Sequence, residues 1–222
     1  MAVILVLFTF VTFLLIDHFH SRRHGVLQPV LRVAPRETPR LASSIVGGFN
    51  IPDNLRYHPG HTWALGESPN LVRVGMDDFA SKLAGKVASV TLPQRGQWLR
   101  QGQKMCTLHR DGAAVDMLSP IEGVVANVND TLAQSPELLG KDPYGEGWLV
   151  TVQSPDAKIN FRNLLSGTLA RWWTEESASR LRMKIPAMAG ALAQDGGVAV
   201  QNVGDQIPDK DWGALTKEFF LS

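Results

Sequence analysis

The sequence predicts a mainly β fold with helices, a flattened half-barrel of short strands, together with one N-terminal transmembrane helix and a C-terminal helical extension. Three observations predict it. Residues 61–128 alternate short β-compatible runs with glycine turns. Residues 2–16 form an uninterrupted apolar run, and residues 160–183 carry apolar side chains at three- and four-residue steps. The 222 residues can hold one domain of ordinary size plus extensions.

The N-terminal segment, residues 1–24, is predicted to be a transmembrane anchor with a basic flank. Its apolar run and the methionine before it would span about 24 Å as a helix, somewhat less than a hydrocarbon core of roughly 30 Å. A cleaved signal peptide needs a basic region before the run and small residues after it, and neither is present. Arg22 and Arg23 follow the run instead. The positive-inside rule then places the N-terminus outside and the remaining chain in the cytoplasm, at a bacterial-type inner membrane.

Three of the six histidines, His18, His20 and His24, lie at the predicted membrane exit. Imidazole can ligate haem, a pigment or a metal ion. Because no carboxylate or cysteine stands at ligand spacing, we predict an interfacial collar and no metal site. The sequence is compatible with contact between these histidines and a pigment or haem.

Residues 25–52 are predicted to be a proline-rich linker. Their prolines disfavour both helix and central strand. The segment is rich in aliphatic residues, however, whereas a free linker is expected to be more charged. This composition favours ordering of the linker against another protein.

The central domain is predicted to span residues 53–156. Asp111 and Gly112 join two β-compatible runs, which is a strong hairpin signal because a tight type I′ turn needs positive φ at both positions. Asp77 can cap a short helix that extends to Leu83. The single cysteine, Cys106, lies in a predicted strand, which favours a buried small hydrophobe and excludes an internal disulfide.

The C-terminal part is predicted to comprise a helix within residues 157–185 and an extension, residues 186–222, that ends in a short helix. The Trp172–Trp173 pair exceeds what one narrow helix face can bury, and tryptophan is enriched in interface cores. Apolar aromatics near a chain end must dock on the parent domain or on a partner. The candidate partner contacts are therefore Trp172, Trp173, Trp212, Phe219 and Phe220.

Composition and motifs argue against several functional classes. The net charge of +1 argues against a nucleic-acid partner. Known nucleotide-binding and catalytic motifs do not occur in the sequence. Asp142 and Glu146 are paired carboxylates near an aromatic, but no converging base or ligand is visible, so we predict a structural loop there. We expect no catalytic residues and no small-molecule substrate.

Four segments carry a family resemblance: residues 57–63 (YHPGHTW), 74–80 (VGMDDFA), 116–123 (DMLSPIEG) and 142–149 (DPYGEGWL). Together they resemble the H protein of the glycine cleavage system, a lipoate-carrying shuttle. The resemblance covers a little under half of the chain, from Asn54 to Asp156. It implies a lipoyl-domain-like half-barrel, or barrel-sandwich hybrid, with a hairpin whose tip carries a lipoylated lysine.

The lysine position of that family falls on Gly112 when the two sequences are laid without a gap between Gly102 and Pro120. Glycine has no ε-amine to form an amide with lipoic acid. The nearest lysine, Lys104, lies eight residues back. The resemblance therefore predicts the fold of a lipoate carrier without the lipoyl group, and we expect no other cofactor.

These observations predict a non-catalytic accessory or scaffolding subunit of a multisubunit membrane complex, either respiratory or photosynthetic. The expected partners are integral membrane subunits and membrane lipid. One alternative is a tethered lipoyl carrier with lipoate on Lys104 or Lys86. Another is a membrane-localised adaptor that binds lipoate-handling enzymes or glycine-cleavage partners and acts as a regulator.

Overall fold

The structure is a computed structural model that describes residues 43–110, 112–185 and 203–221, all within the second of two compact units of the chain, Arg40–Ser222. The predicted anchor, the histidines at its exit and most of the predicted linker lie outside the described residues. No helix within those three ranges combines the length and the apolar character needed to cross a membrane.

Residues 43–52, which the proline pattern assigned to a linker, form a β-hairpin. Its strands are β1 (Ser43–Val46) and β2 (Phe49–Pro52), and Gly47 and Gly48 turn between them with φ of 59° and 94°. Phe49 is fully buried, with its ring centroid 4.8 Å from that of Phe79. The linker prediction failed here because it relied on the prolines. The only proline within the hairpin, Pro52, lies at the end of β2, where it does not interrupt the strand.

Two further antiparallel sheets form the body of the domain. A six-stranded sheet has the order β3-β4-β5-β11-β10-β7, and a three-stranded sheet has the order β6-β8-β9. This arrangement agrees with the predicted mainly β half-barrel. The strands are β3 (Arg56–His58), β4 (Thr62–Ser68), β5 (Leu71–Met76), β6 (Ser89–Thr91), β7 (Trp98–Leu99), β8 (Lys104–Arg110), β9 (Ala113–Leu118), β10 (Gly123–Val128) and β11 (Val150–Gln153).

Helix α1 (Asp78–Ala84) begins where the sequence predicts. The Asp77 carboxylate accepts a hydrogen bond from the Ala80 N–H at 2.8 Å, and the same carboxylate contacts His61 Nδ1 at 2.8 Å. The cap is buried, so both interactions are shielded from water. A 3₁₀ turn (Asp130–Ala133) and the short helix α2 (Leu138–Lys141) follow later in the chain.

The helix predicted over residues 160–183 is divided into α3 (Ala157–Arg162) and α4 (Gly167–Lys184). The break has a tertiary cause. Leu165 exchanges two backbone hydrogen bonds with Tyr57, at 2.8 and 2.9 Å, which removes its N–H and C=O from a helix. Gly167 then turns the chain with φ of 54°.

The C-terminal extension forms a 3₁₀ turn (Val203–Gln206) and helix α5 (Asp209–Phe220). Helix α5 packs along β9 and beside α1. Glu218 of α5 bonds Arg180 at 2.9 Å and Lys184 at 2.8 Å, which ties the end of α5 to α4. The extension is thus an integral layer of the domain, continuous with its main core.

Candidate functional site

The β8–β9 hairpin is the candidate functional site. Its strands pair from Lys104↔Leu118 to Arg110↔Ala113, and Gly112 lies in a turn between them, where the Asp-Gly signal predicts one. Gly112 has φ of 76°, and a Cβ at this position would meet no atom of the described residues within 4 Å. Gly112 therefore has open space beside it in the described part of the chain and presents no side chain.

Arg110, the last residue before the turn, ties the tip to the C-terminal extension. Its Nη1 donates a hydrogen bond to the Gly204 carbonyl at 2.7 Å, and its guanidinium lies 5.5 Å from the Trp212 ring centroid. A charged hydrogen bond combined with a cation–π contact holds the side chain in place. The base of the turn is therefore held against another part of the same chain.

Trp212 anchors the cover over this hairpin, which is the described part of the C-terminal extension, residues 203–221. Only 1 % of the residue is exposed, and its Nε1 donates to the Leu83 carbonyl at 3.2 Å. The extension also approaches the Leu83 carbonyl at Gly204. A Cβ on Gly204 would lie 2.1 Å from that carbonyl oxygen. Only glycine permits that contact.

The C-terminal end of helix α5 lies close to His61. The Phe219 and Phe220 rings lie 6.3 and 6.5 Å from the imidazole of His61, which also stacks on Phe79 at 4.1 Å and faces Trp173 at 4.4 Å. The Phe220 carbonyl stands 2.8 Å from where a Cβ on Gly60 would be. Helix α5 thereby fills the space between β9 and the turn that precedes β4.

The predicted partner contacts separate into three groups by their burial. Trp212, Phe219 and Phe220 are buried within their own chain, so the docking left open by the sequence occurs in cis for these three. Trp173 is half-buried against His61. Trp172 is 68 % exposed on α4 and stays a predicted partner contact.

On one side of the hairpin, two neighbouring side chains hold the carboxylate of Asp116 in place. Asp116 accepts hydrogen bonds from Lys104 Nζ at 2.9 Å and Thr107 Oγ1 at 2.7 Å. Burial acts to raise the pKa of Asp116, but these hydrogen bonds outweigh it and hold that pKa below its ordinary value. The carboxylate is therefore an ionised acceptor at neutral pH.

Neither lysine named as an alternative lipoylation site lies at the tip. Lys104 begins β8, six residues before Arg110, which corresponds to about 20 Å of strand. Lys86 belongs to the connection between α1 and β6, where its backbone N–H donates to Asp205 Oδ1 at 2.8 Å.

Asp142, one of the two carboxylates in the 142–149 segment, has a structural role. The Asp142 side chain accepts hydrogen bonds from the N–H groups of Gly145 and Glu146, at 3.1 and 2.8 Å, and so closes its own loop. The loop also brings Pro143, whose carbonyl accepts a bond from Trp63 Nε1 at 3.1 Å.

Cys106 is expected to react with a thiol reagent only after unfolding. It is 1 % exposed, and burial raises the pKa of its thiol to about 12, so the thiolate that reacts is scarce at pH 8. Native protein should show almost no labelling by a disulfide reagent over minutes, whereas protein in guanidinium should label once per chain. Rapid native labelling would contradict the buried position.

Sequence reasoning missed the link from Arg110 through Gly204 and Trp212 to Leu83. The signals present were a basic residue at the tip and a tryptophan in the extension. Nothing in either segment specifies the other, because the two are separated by 94 residues.

The family model described as glycine cleavage H-protein matches residues 55–176. A glycine cleavage system H protein from Alteromonas mediterranea is 40 % identical over 108 residues, 49 % of this chain and 84 % of that protein. Another from Coprothermobacter proteolyticus is 36 % identical over 111 residues, 50 % of this chain and 87 % of that protein. A crystal structure of a glycine cleavage system H protein from Mycobacterium marinum matches with a TM-score of 0.49 and 26 % identity, over 57 % of this chain and 98 % of that one.

Proposed function

The chain belongs to the glycine cleavage H-protein family, and from this membership we propose that it serves the glycine cleavage system as an adaptor that binds the enzymes of the system without carrying lipoate. The observation that carries the proposal is the hairpin tip. Gly112 occupies the position that the resemblance assigns to the lipoylated lysine, and it has no side chain to modify.

The earlier prediction of a scaffolding subunit in a respiratory or photosynthetic membrane complex is wrong. The relatives that match this chain carry the name of the glycine cleavage system. The predictions of integral membrane partners, membrane lipid and an inner-membrane location are corrected by the same finding, and no described helix can cross a membrane.

The cover over the hairpin supports the adaptor proposal. A swinging arm needs a mobile attachment point and free surface beside it. Here Arg110 is tied to Gly204 and Trp212, and α5 packs along β9, so the flank of the tip is occupied by the chain itself. The rest of the family domain keeps an exposed surface, which includes Trp172, for partner binding.

A lipoyl carrier is the second candidate, since the family relatives favour that class. It would require modification of Lys104 or Lys86. Lys104 is 60 % exposed, but its Nζ is paired with Asp116 and it lies at the far end of the hairpin. The geometry therefore favours the adaptor.

Two measurements test the proposal. The intact mass of the full chain, after co-expression with a lipoate-attaching enzyme, should equal the unmodified mass. The purified chain should also bind a purified enzyme of the glycine cleavage system and compete with a lipoylated H protein for it. Trp172→Ala should weaken that binding about tenfold or more if Trp172 is an interface anchor.

A mass increase of one lipoyl group would contradict the adaptor proposal and support the lipoyl carrier. If the chain bound no enzyme of the system, the adaptor proposal would be wrong as well. Leu169→Ala, at a neighbouring exposed position of α4, is the control that separates a specific Trp172 contact from general loss of apolar surface.

A further inference from the structure

A cleft of about 360 Å³ opens on a part of the domain that the hairpin site does not use. One wall is the connection from α1 to β6, and the other is the segment around α2. Its volume lies within the range of small-molecule sites. The lining residues are Gly85, Lys86, Val87, Ala88, Pro136, Glu137, Leu139, Gly140 and Lys141.

The cleft has an apolar floor and a cationic rim. Val87 and Leu139 are buried, and both belong to the main core, so the floor is rigid. Lys86 and Lys141 are exposed. A ligand that rested on the floor would therefore place its polar end near two ammonium groups.

The carboxylates nearby leave this positive charge largely uncompensated. The closest carboxylate oxygen to Lys141 is that of Glu137, 3.9 Å away and beyond hydrogen-bond distance. The Lys86 ammonium forms no ion pair or hydrogen bond with any described residue, and Asp205 is engaged by the Lys86 backbone N–H instead. Both ammonium groups thus retain donors for a ligand.

We propose that this cleft is a binding site for a small carboxylate with an aliphatic body, which lies on Val87 and Leu139 while its carboxylate meets Lys86 and Lys141. The chemistry is that of an apolar slot with a small number of placed charges. The site is independent of the adaptor function, because it shares no residue with the hairpin or with Trp172.

Titration of the full chain with hexanoate tests the proposal, with hexan-1-ol and hexylammonium as matched probes. Methyl resonances of Val87 and Leu139 should shift with hexanoate. Two exposed ion pairs should make hexanoate bind about fivefold more tightly than hexan-1-ol. Hexylammonium should bind most weakly. Raising the salt concentration should reduce this preference.

Variants of the charged residues are expected to change the affinity for hexanoate in opposite directions. Lys86→Gln and Lys141→Gln should each weaken hexanoate binding about two- to threefold, whereas Glu137→Gln should strengthen it about twofold. Lys158→Gln removes an exposed lysine that does not line the cleft and should change nothing. Equal affinity for hexanoate and hexan-1-ol, unchanged binding in both lysine variants, or unshifted Val87 and Leu139 methyls would each overturn the proposal.

Discussion

Replacement of Trp212 by alanine is expected to lower the free energy of unfolding by about 3–5 kcal/mol, the usual cost of truncating a buried tryptophan. The indole is almost fully buried, and its Nε1 bonds the Leu83 carbonyl at 3.2 Å. Its loss also removes the cation–π partner of Arg110. Denaturant unfolding of the full chain measures the effect from the shift in midpoint at unchanged slope.

Trp172→Ala provides the matched control for this measurement. The same chemical change at a side chain that is 68 % exposed should alter stability by no more than about 0.5 kcal/mol. If the two variants were equally stable, α5 would not be anchored by Trp212. If Trp212→Ala lowered the slope as well as the midpoint, the extension would unfold separately from the rest of the domain.

Introduction of lysine at the hairpin tip, Gly112→Lys, is expected to make the chain a substrate for lipoylation. Space is available, because a Cβ at this position meets no atom within 4 Å in the part of the chain that the structure describes. The substitution places a side chain at φ of 76°, which costs about 1 kcal/mol. Co-expression with a lipoate-attaching enzyme should then raise the intact mass by one lipoyl group.

Gly102→Lys is the control for lysine at a strained but open turn. Gly102 has φ of 78°, and a Cβ there also meets none of the described residues within 4 Å. This variant should lose similar stability without gaining a lipoyl group. Failure of Gly112→Lys to be modified would place the family's acceptor position elsewhere or show that the tip is no longer recognised, and either result would weaken the assignment of Gly112.

The local features of this fold were accessible from the sequence where one short segment contains the whole signal. The turn at Gly112 and the Asp77 cap are examples, because turn and cap geometries depend on neighbouring residues. The β1–β2 hairpin was missed since its strands are only four residues long and Phe49 gains its burial from a distant partner, Phe79.

Long-range contacts determined the rest of the candidate site. The break between α3 and α4 depends on Tyr57, which lies 108 positions before Leu165 and satisfies the backbone groups that a helix would have used. The charge environment of the cleft likewise depends on residues from two separate segments. Periodicity within a window cannot report such pairings.

Residue types within continuous stretches were enough to predict the β-rich fold, its family resemblance and the glycine at the hairpin tip. The surroundings of that tip became apparent only in the folded domain. Segments far apart in the chain meet to hold Arg110, to place α5 along β9 and to bury Trp212, Phe219 and Phe220. The physical reason is that burial and charge pairing depend on which surfaces meet, and that becomes defined only when the whole domain folds.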